Sequence, residues 1–246
     1  IKDTVDQKLK DVKICDPAIG SGAFPMGLLH ELYACRKALE GIDDEKAVSI
    51  KTHIIQNNIY GVDIEKGAVD IARLRFWLAL IVDEQNPHAL PNMDFKIMQG
   101  NSLLEQFEGV DLSGMSLDEQ AKKKAKKGQT WQATFAFDES YSLANIQNAI
   151  KEYYLSDDHA MKENLRGIVN DNVRSYIVNL KGCTPDIQRK IDALPIPNDQ
   201  FFLWHIYFKE VFDKGGFDIV IGNPPYGASL SFEIKDIYKE LFSNVH

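Results

Sequence analysis

The sequence predicts an α/β domain built on a parallel sheet, with helices on both faces and a long helical excursion inserted into it. Three stretches carry that expectation. Residues Asp11 to Phe24 read as strand, glycine loop and helix start; Ile59 to Asp63 is an apolar strand closed by a carboxylate; Phe217 to Ile221 is apolar on both faces before it meets Asn223, Pro224, Pro225 and Tyr226. A strand apolar on both faces suits the middle of a parallel sheet, where helices cover each side.

With 246 residues, 44% hydrophobic and 26% charged, the chain buries a sizeable core and fits one domain plus an elaboration. A formal charge of -8 leaves no basic surplus, which excludes a chain-wide footprint on a polyanion. Cys15, Cys35 and Cys183 show neither C-x-x-C nor metal-finger spacing, and an odd count predicts reduced thiols. No H-E-x-x-H or paired metal-ligand pattern occurs, so no metal is expected. No run approaches the roughly 20 apolar residues of a membrane span and no signal-peptide pattern is present, so the expected location is cytoplasmic. The chain starts at Ile1 and stops at His246 within a helix-like pattern, and is expected to be a piece of a longer protein.

In chain order, Asp11 to Asp16 alternates like a short strand and feeds Pro17, Ala18, Ile19, Gly20, Ser21, Gly22, Ala23 and Phe24. Met26, Leu28, Leu29, Leu32, Tyr33 and Leu39 then form a helical stripe ending at Gly41. Gly20 and Gly22 let backbone approach a ligand closely, and free N–H groups at a helix start suit an anion. A lone Gly-x-Gly is equally a plain strand-to-helix turn. A polar helix from Asp43 to Asn58 precedes the strand ending at Asp63, and a second helix, Lys66 to Val82, follows it. A carboxylate at that tip is placed to accept from the two hydroxyls of a ribose. Asp63 follows Asp16 by more than the roughly 20 to 30 residues of a simple βαβ unit, so an extra helix is inserted. Ile71, Leu74, Leu78 and Ile81 make core packing the account of Trp77. A third strand, Asp94 to Gln99, ends at Gly100, Asn101, Ser102 and Leu103, where polar groups can meet a purine amine beside an apolar wall.

From Glu105 to Asp199 the pattern becomes helical, through Ile146, Ile150, Tyr153 and Tyr154, then Leu165, Ile168, Val173, Ile177 and Leu180. These predict a pair of antiparallel helices. Lys122, Lys123, Lys124, Lys126 and Lys127 read as a solvated loop before they read as a phosphate contact. Phe201, Trp204, His205, Phe208, Val211 and Phe212 recur at helical spacing as a core stripe, in which His205 is a packing residue and not a base.

The chemistry concentrates after the last strand. Each proline of Asn223-Pro224-Pro225-Tyr226 has a fixed φ and no N–H, so the chain leaves the sheet as a stiff turn. The Asn223 side-chain oxygen and the Pro224 carbonyl form two fixed acceptors for the N–H groups of a planar amine, whose delocalised lone pair they turn towards nucleophilic geometry. Tyr226 supplies an aromatic face. An Asn-Pro turn that only ends a strand is the commoner fate of such a dipeptide.

Asp16 to Phe24 taken with Gly222 to Tyr226 resembles the adenine-N6 DNA methyltransferases. Within them the likeness is to the modification part of fused type IIG, Eco57I-like restriction-modification enzymes, over most of the chain. The resemblance implies a Rossmann-like S-adenosylmethionine-dependent methyltransferase fold with an incomplete parallel sheet. Residues 1–104 would form the cofactor-binding part, 105–199 the inserted helical region, and 200–246 the return to the catalytic core. By position, Asp16, Pro17, Ala18, Gly20 and Gly22 would hold the methionine moiety with Phe24 beside it. Asp63 would take the ribose hydroxyls, Ile64 would pack on the adenine, and Asn101, Ser102 and Leu103 would meet its edge. Asn223, Pro224 and Pro225 would bind the target amine, and Tyr226 would stack on an adenine flipped out of double-stranded DNA. Asn101 stands where many relatives have Asp, and the motif that completes the methionine pocket has no match before Asp11. With its recognition domain elsewhere in the parent, this piece is expected to bind cofactor weakly and to methylate poorly alone. Two alternatives stay open: methylation of another planar amine, a release-factor glutamine or a ribosomal RNA guanine, and a non-catalytic DNA-binding module.

Overall fold

The computed structural model describes residues 2–40, 47–82, 92–112, 134–180, 182–224 and 232–241. Pro225, Tyr226 and the lysines from 122 to 127 lie outside the described residues. The elements are α1 (Lys2–Asp11), β1 (Ile14–Asp16), α2 (Ala23–Glu40), α3 (Ala47–Asn57), β2 (Ile59–Asp63), α4 (Lys66–Ile81) and β3 (Ile97–Gln99). A small antiparallel pair follows, β4 (Gln106–Phe107) with β5 (Val110–Asp111). Then come α5 (Thr134–Leu155), α6 (His159–Val178), α7 (Pro185–Ala193), the single turns α8 (Trp204–Tyr207) and α9 (Lys209–Phe212), β6 (Ile219–Val220) and α10 (Phe232–Leu241).

Four strands form one parallel sheet in the order β3-β2-β1-β6. Strand alternation sends successive side chains to opposite faces, and both faces of β1, β2 and β3 are covered. Ile14, Ile59 and Ile97 point into a core with Leu29, Ile54 and Phe76 from α2, α3 and α4. Cys15, Tyr60 and Met98 point the other way, into a core with Ile146, Val169 and the aromatic segment from Phe201 to Phe208. The excursion and the aromatic segment after it therefore cover one face of β1, β2 and β3. Its helices α5 and α6 pack on each other, joined by residues 156–158. Asp158 caps α6 by accepting from Ala160 and Met161, and Thr184 caps α7 by accepting from Ile187.

Asp94, in the turn before β3, holds the excursion to the sheet. Its carboxylate pairs with Arg73 of α4 at 2.9 Å and Arg166 of α6 at 3.0 Å, and accepts from the Tyr153 hydroxyl of α5. Lys96 is half-buried against Tyr60, its Nζ donating to the phenol oxygen at 2.8 Å, and desolvation lowers its pKa to about 8.

Several expectations change. The polar start forms α1, so β1 begins only at Ile14. The third strand is shortened at its start, residues 94–96 being a turn. On α4 the buried stripe is Val69, Ala72, Phe76 and Leu80; Ile71, Leu74 and Leu78 are exposed, while Trp77 packs partly buried against the core as expected. The stripe from Phe201 to Phe212 is two short turns broken at Phe208, because its rings pack edge-on around Tyr60 and Phe217 rather than along one helix face. Finally, β6 is at one side of the described sheet and not in its middle, with Ile219 and Val220 exposed at 45% and 64%. Among the described strands only β1 pairs with it, so the backbone N–H and C=O groups along its other edge face no described strand.

Asn58, fully buried between α3 and β2, donates from Nδ2 to the carbonyls of Leu9, Lys10 and Val12 at 3.1, 3.0 and 2.8 Å. It thereby satisfies the last turn of α1 and ties that helix to the sheet. Asn58→Ala strips these carbonyls of their donor inside the protein and is expected to cost about 2–4 kcal/mol, read as a lowered urea midpoint at unchanged slope. An unchanged midpoint would show that α1 is not held this way.

Candidate functional site

All the predicted site residues within the described residues lie at the carboxyl ends of the four parallel strands. In an open α/β sheet that edge is where ligands bind. Their arrangement follows from three backbone linkages.

The first builds the glycine loop. Gly20 and Gly22 hold φ of 53° and 83°, which side chains rarely adopt. A Cβ on Gly22 would lie 3.0 Å from Ala72 Cβ, so this glycine lets the start of α2 close on α4. A Cβ on Gly20 would meet nothing within 4 Å, so this glycine faces open space. Ile19 donates its N–H to Val62 and fills the place a side chain on Gly61 would take.

The second joins that loop to the tip of β2. Asp63 accepts from the Gly20 N–H at 2.7 Å through one oxygen and from the Glu65 N–H at 2.9 Å through the other. Two backbone donors thus fix the carboxylate before any ligand arrives, and each oxygen keeps a lone pair for further donors. Gly100 in turn donates to the Asp63 carbonyl, bringing the tip of β3 alongside. Gly100 is itself pressed by Phe202, whose ring lies 2.4 Å from where a Cβ would stand.

The third joins β1 to β6. Ile14 and Cys15 stand beside Ile219 and Val220 in parallel register, and Ile221 donates to the Cys15 carbonyl at 2.9 Å. Lys13 locks the entry by donating its N–H to Asp218 Oδ2 and accepting from Asp218 and Ile219 at its carbonyl. This register sets Gly222 directly against Asp16: a Cβ on Gly222 would lie 2.7 Å from Asp16 Oδ1. Asn223 and Pro224, both exposed, follow at once. The two sequence motifs therefore meet at one place.

Asp16 is buried, and its Oδ1 accepts from the Ala18 N–H at 3.0 Å. Burial raises its pKa, the Ala18 N–H lowers it by less, and the charge of Asp63 adds a still smaller rise. A cation brought to this carboxylate would relieve both effects. Beside these polar groups stand exposed apolar side chains, Phe24, Ile64 and Leu103. On β3, Asn101 is buried, and its Oδ1 accepts from the Leu103 N–H at 3.2 Å and the Tyr238 hydroxyl at 3.3 Å. Ser102 offers its carbonyl to Trp204 Nε1 at 3.1 Å.

Glu105 and Tyr238 were not singled out from the sequence, and Gly222, part of the quoted motif, was given no role of its own. Glu105 caps α8, accepting from the backbone of His205 and Trp204, and burial raises its pKa to about 7. A Glu ahead of an aromatic run whose turn it caps has no local signature, since Trp204 lies far along the chain. Gly222 was legible as a glycine before Asn-Pro, but its contact depends on strand register. His205 is half-buried with its ring 4.2 Å from Phe212, in keeping with a packing role. Among the described residues, no cluster of metal-binding side chains occurs and no helix is long and apolar enough to cross a membrane.

A family model described as Eco57I restriction-modification methylase matches residues 57–246, and one described as the MmeI DNA-methyltransferase domain matches residues 2–110. A Methanocaldococcus jannaschii protein provisionally named a type II restriction enzyme and methyltransferase is 29% identical over 276 aligned residues. That alignment covers 94% of this chain but 23% of the relative, so the chain spans about a quarter of the relative's length.

Two outcomes follow from the site's packing. Gly222→Ala drives a methyl into the Asp16 carboxylate and is expected to cost about 1–3 kcal/mol, with a coupling of at least ~1 kcal/mol to Asp16→Ala in a double-mutant cycle. Additive costs would mean that the tips do not touch. Because the folded-state pKa of Glu105 is raised, its contribution to stability is complete below its ordinary pKa of 4.5 and is lost as pH climbs to about 7. The melting temperature of Glu105→Gln minus that of the wild type should therefore rise between those pH values and level off above them. A flat difference would contradict the raised pKa.

Proposed function

Because the chain belongs to the Eco57I restriction-modification methylase family, we propose that it carries the cofactor-binding and catalytic groups of an adenine-N6 DNA methyltransferase that uses S-adenosylmethionine. The observation that carries this is the contact of Gly222 with the Asp16 carboxylate, which puts the Gly20 loop and the Asn223-Pro224 turn on adjoining strand tips.

The residues present fit such a cofactor. Gly20 faces open space where a ligand's chain can lie against backbone. Asp63 is held by two N–H groups with lone pairs left for a pair of hydroxyls. Exposed Ile64 and Leu103 offer apolar walls for a planar ring, and buried Asp16 favours a cationic group such as an ammonium. When bound, S-adenosylmethionine supplies an electrophilic methyl on a sulfonium. The protein's part is positional. Asn223 Oδ1 and the Pro224 carbonyl accept from the two N–H groups of the target amine, raising its nucleophilicity without removing a proton beforehand. Methyl transfer would break the S–CH3 bond as the N–C bond forms, leaving a neutral thioether, and the nitrogen, made cationic, would release a proton to water.

Reaching a base in a duplex requires flipping it out, at a cost of a few kcal/mol. With a formal charge of -8, this chain is poorly suited to supply that binding energy itself. DNA recognition is therefore assigned to other parts of the longer enzyme, and activity of the 246-residue chain alone is expected to be low.

Transfer of labelled methyl from S-adenosylmethionine, followed in the parent enzyme with DNA, RNA and protein acceptors, tests the proposal. Label should enter adenine in DNA, and Asn223→Ala should slow it by about 100-fold or more. Label entering glutamine or RNA guanine, or an unaffected Asn223→Ala rate, would contradict it.

A further inference from the structure

The tip of β3 carries a polarity that its sequence did not reveal. Asn101 is the polar side chain there, and which end of its amide faces a ligand decides what it recognises. A backbone N–H can only donate, so the Leu103 N–H fixes the atom it meets as the Asn101 oxygen. The Tyr238 hydroxyl, 3.3 Å away, takes that oxygen's other lone pair. Tyr238 is buried on α10, so the helix after the Asn223 turn, on one side of the sheet, delivers its hydroxyl to the strand tip on the other side. Among the described residues both bonds of the buried Asn101 side chain fall on its oxygen, which leaves Nδ2 without a described acceptor.

We propose that Asn101 offers a ligand hydrogen-bond donors, and that Tyr238 is the positioning residue that keeps its oxygen turned away. The group met at this tip is then an acceptor, such as a ring nitrogen of a purine, whereas an exocyclic amine, itself a donor, finds no acceptor in the Asn101 side chain. This replaces the expectation that Asn101 meets a purine amine, and it rests on the cofactor reading of the site.

Calorimetric titration of the parent enzyme with S-adenosylhomocysteine and with its purine-riboside analogue, which carries hydrogen in place of the amine and keeps every ring nitrogen, tests it. The wild type should bind the two within about 3-fold, because Nδ2 donates to a ring nitrogen that both ligands keep and the amine finds no acceptor. Asn101→Asp, presenting an acceptor instead, should prefer the adenosyl ligand by about 10-fold or more. Tyr238→Phe should move the ratio about 3-fold towards the adenosyl ligand, whereas a purely structural role would weaken both ligands alike. A wild type that prefers the adenosyl ligand more than about 10-fold, or a ratio unmoved by Tyr238→Phe, would overturn the inference while leaving the cofactor reading intact. A wild type that binds neither ligand would sink the cofactor reading, and the inference with it.

Discussion

The parallel pairing of β1 with β6 is the constraint from which the rest of the site follows. Its register is short, two residue pairs reinforced by Lys13 and Asp218 at one end and by Ile221 at the other. Yet it seats a backbone without a side chain on a buried carboxylate, with no room for a methyl group between them. A slip of one residue would turn every β6 side chain to the opposite face and carry Asn223 away from Asp16.

Holding that register is the work of the two packed faces. Isoleucines from β1, β2 and β3 bury against α2, α3 and α4, while Tyr60 gathers Phe208 and Phe217 on the opposite face. Phe217 stands just before β6, so the aromatic segment delivers the last strand to its place. The excursion is thus more than an insertion: Asp94 clamps it to α4 and to the turn before β3, and its aromatic continuation packs on Phe217 just ahead of β6. Burial of the Asp16 and Glu105 carboxyls and of the Lys96 amine shows how much polar chemistry this packing encloses.

Much of this was legible in the sequence, for reasons that differ from residue to residue. The glycine loop and the Asp63 tip could be read because each is a local pattern whose backbone needs are written in adjacent residues, whereas of the Asn-Pro-Pro-Tyr stretch only Asn223 and Pro224 lie within the described residues. The fold class followed from the strand spacing and the resemblance, and the family match bears it out. Long-range geometry was less accessible. The apolar residues of Phe217 to Ile221 suggested a central strand, yet β6 has one described neighbour. Ile71, Leu74 and Leu78 had helical spacing but lie on the exposed side of α4, since Val69, Ala72 and Phe76 form an equally regular stripe. The orientation of Asn101 depends on a hydroxyl more than a hundred residues away, which no local pattern encodes.

The central claim is that the Gly20 loop and the Asn223 turn border one cleft. Backbone NMR of the isotopically labelled chain, titrated with S-adenosylhomocysteine, tests it most directly. One cleft predicts that the amides of Gly20, Gly22, Ile64 and Asn101 shift together with those of Gly222 and Asn223, along a single saturation curve. Shifts confined to the glycine loop, with Gly222 and Asn223 unmoved at saturation, would contradict it.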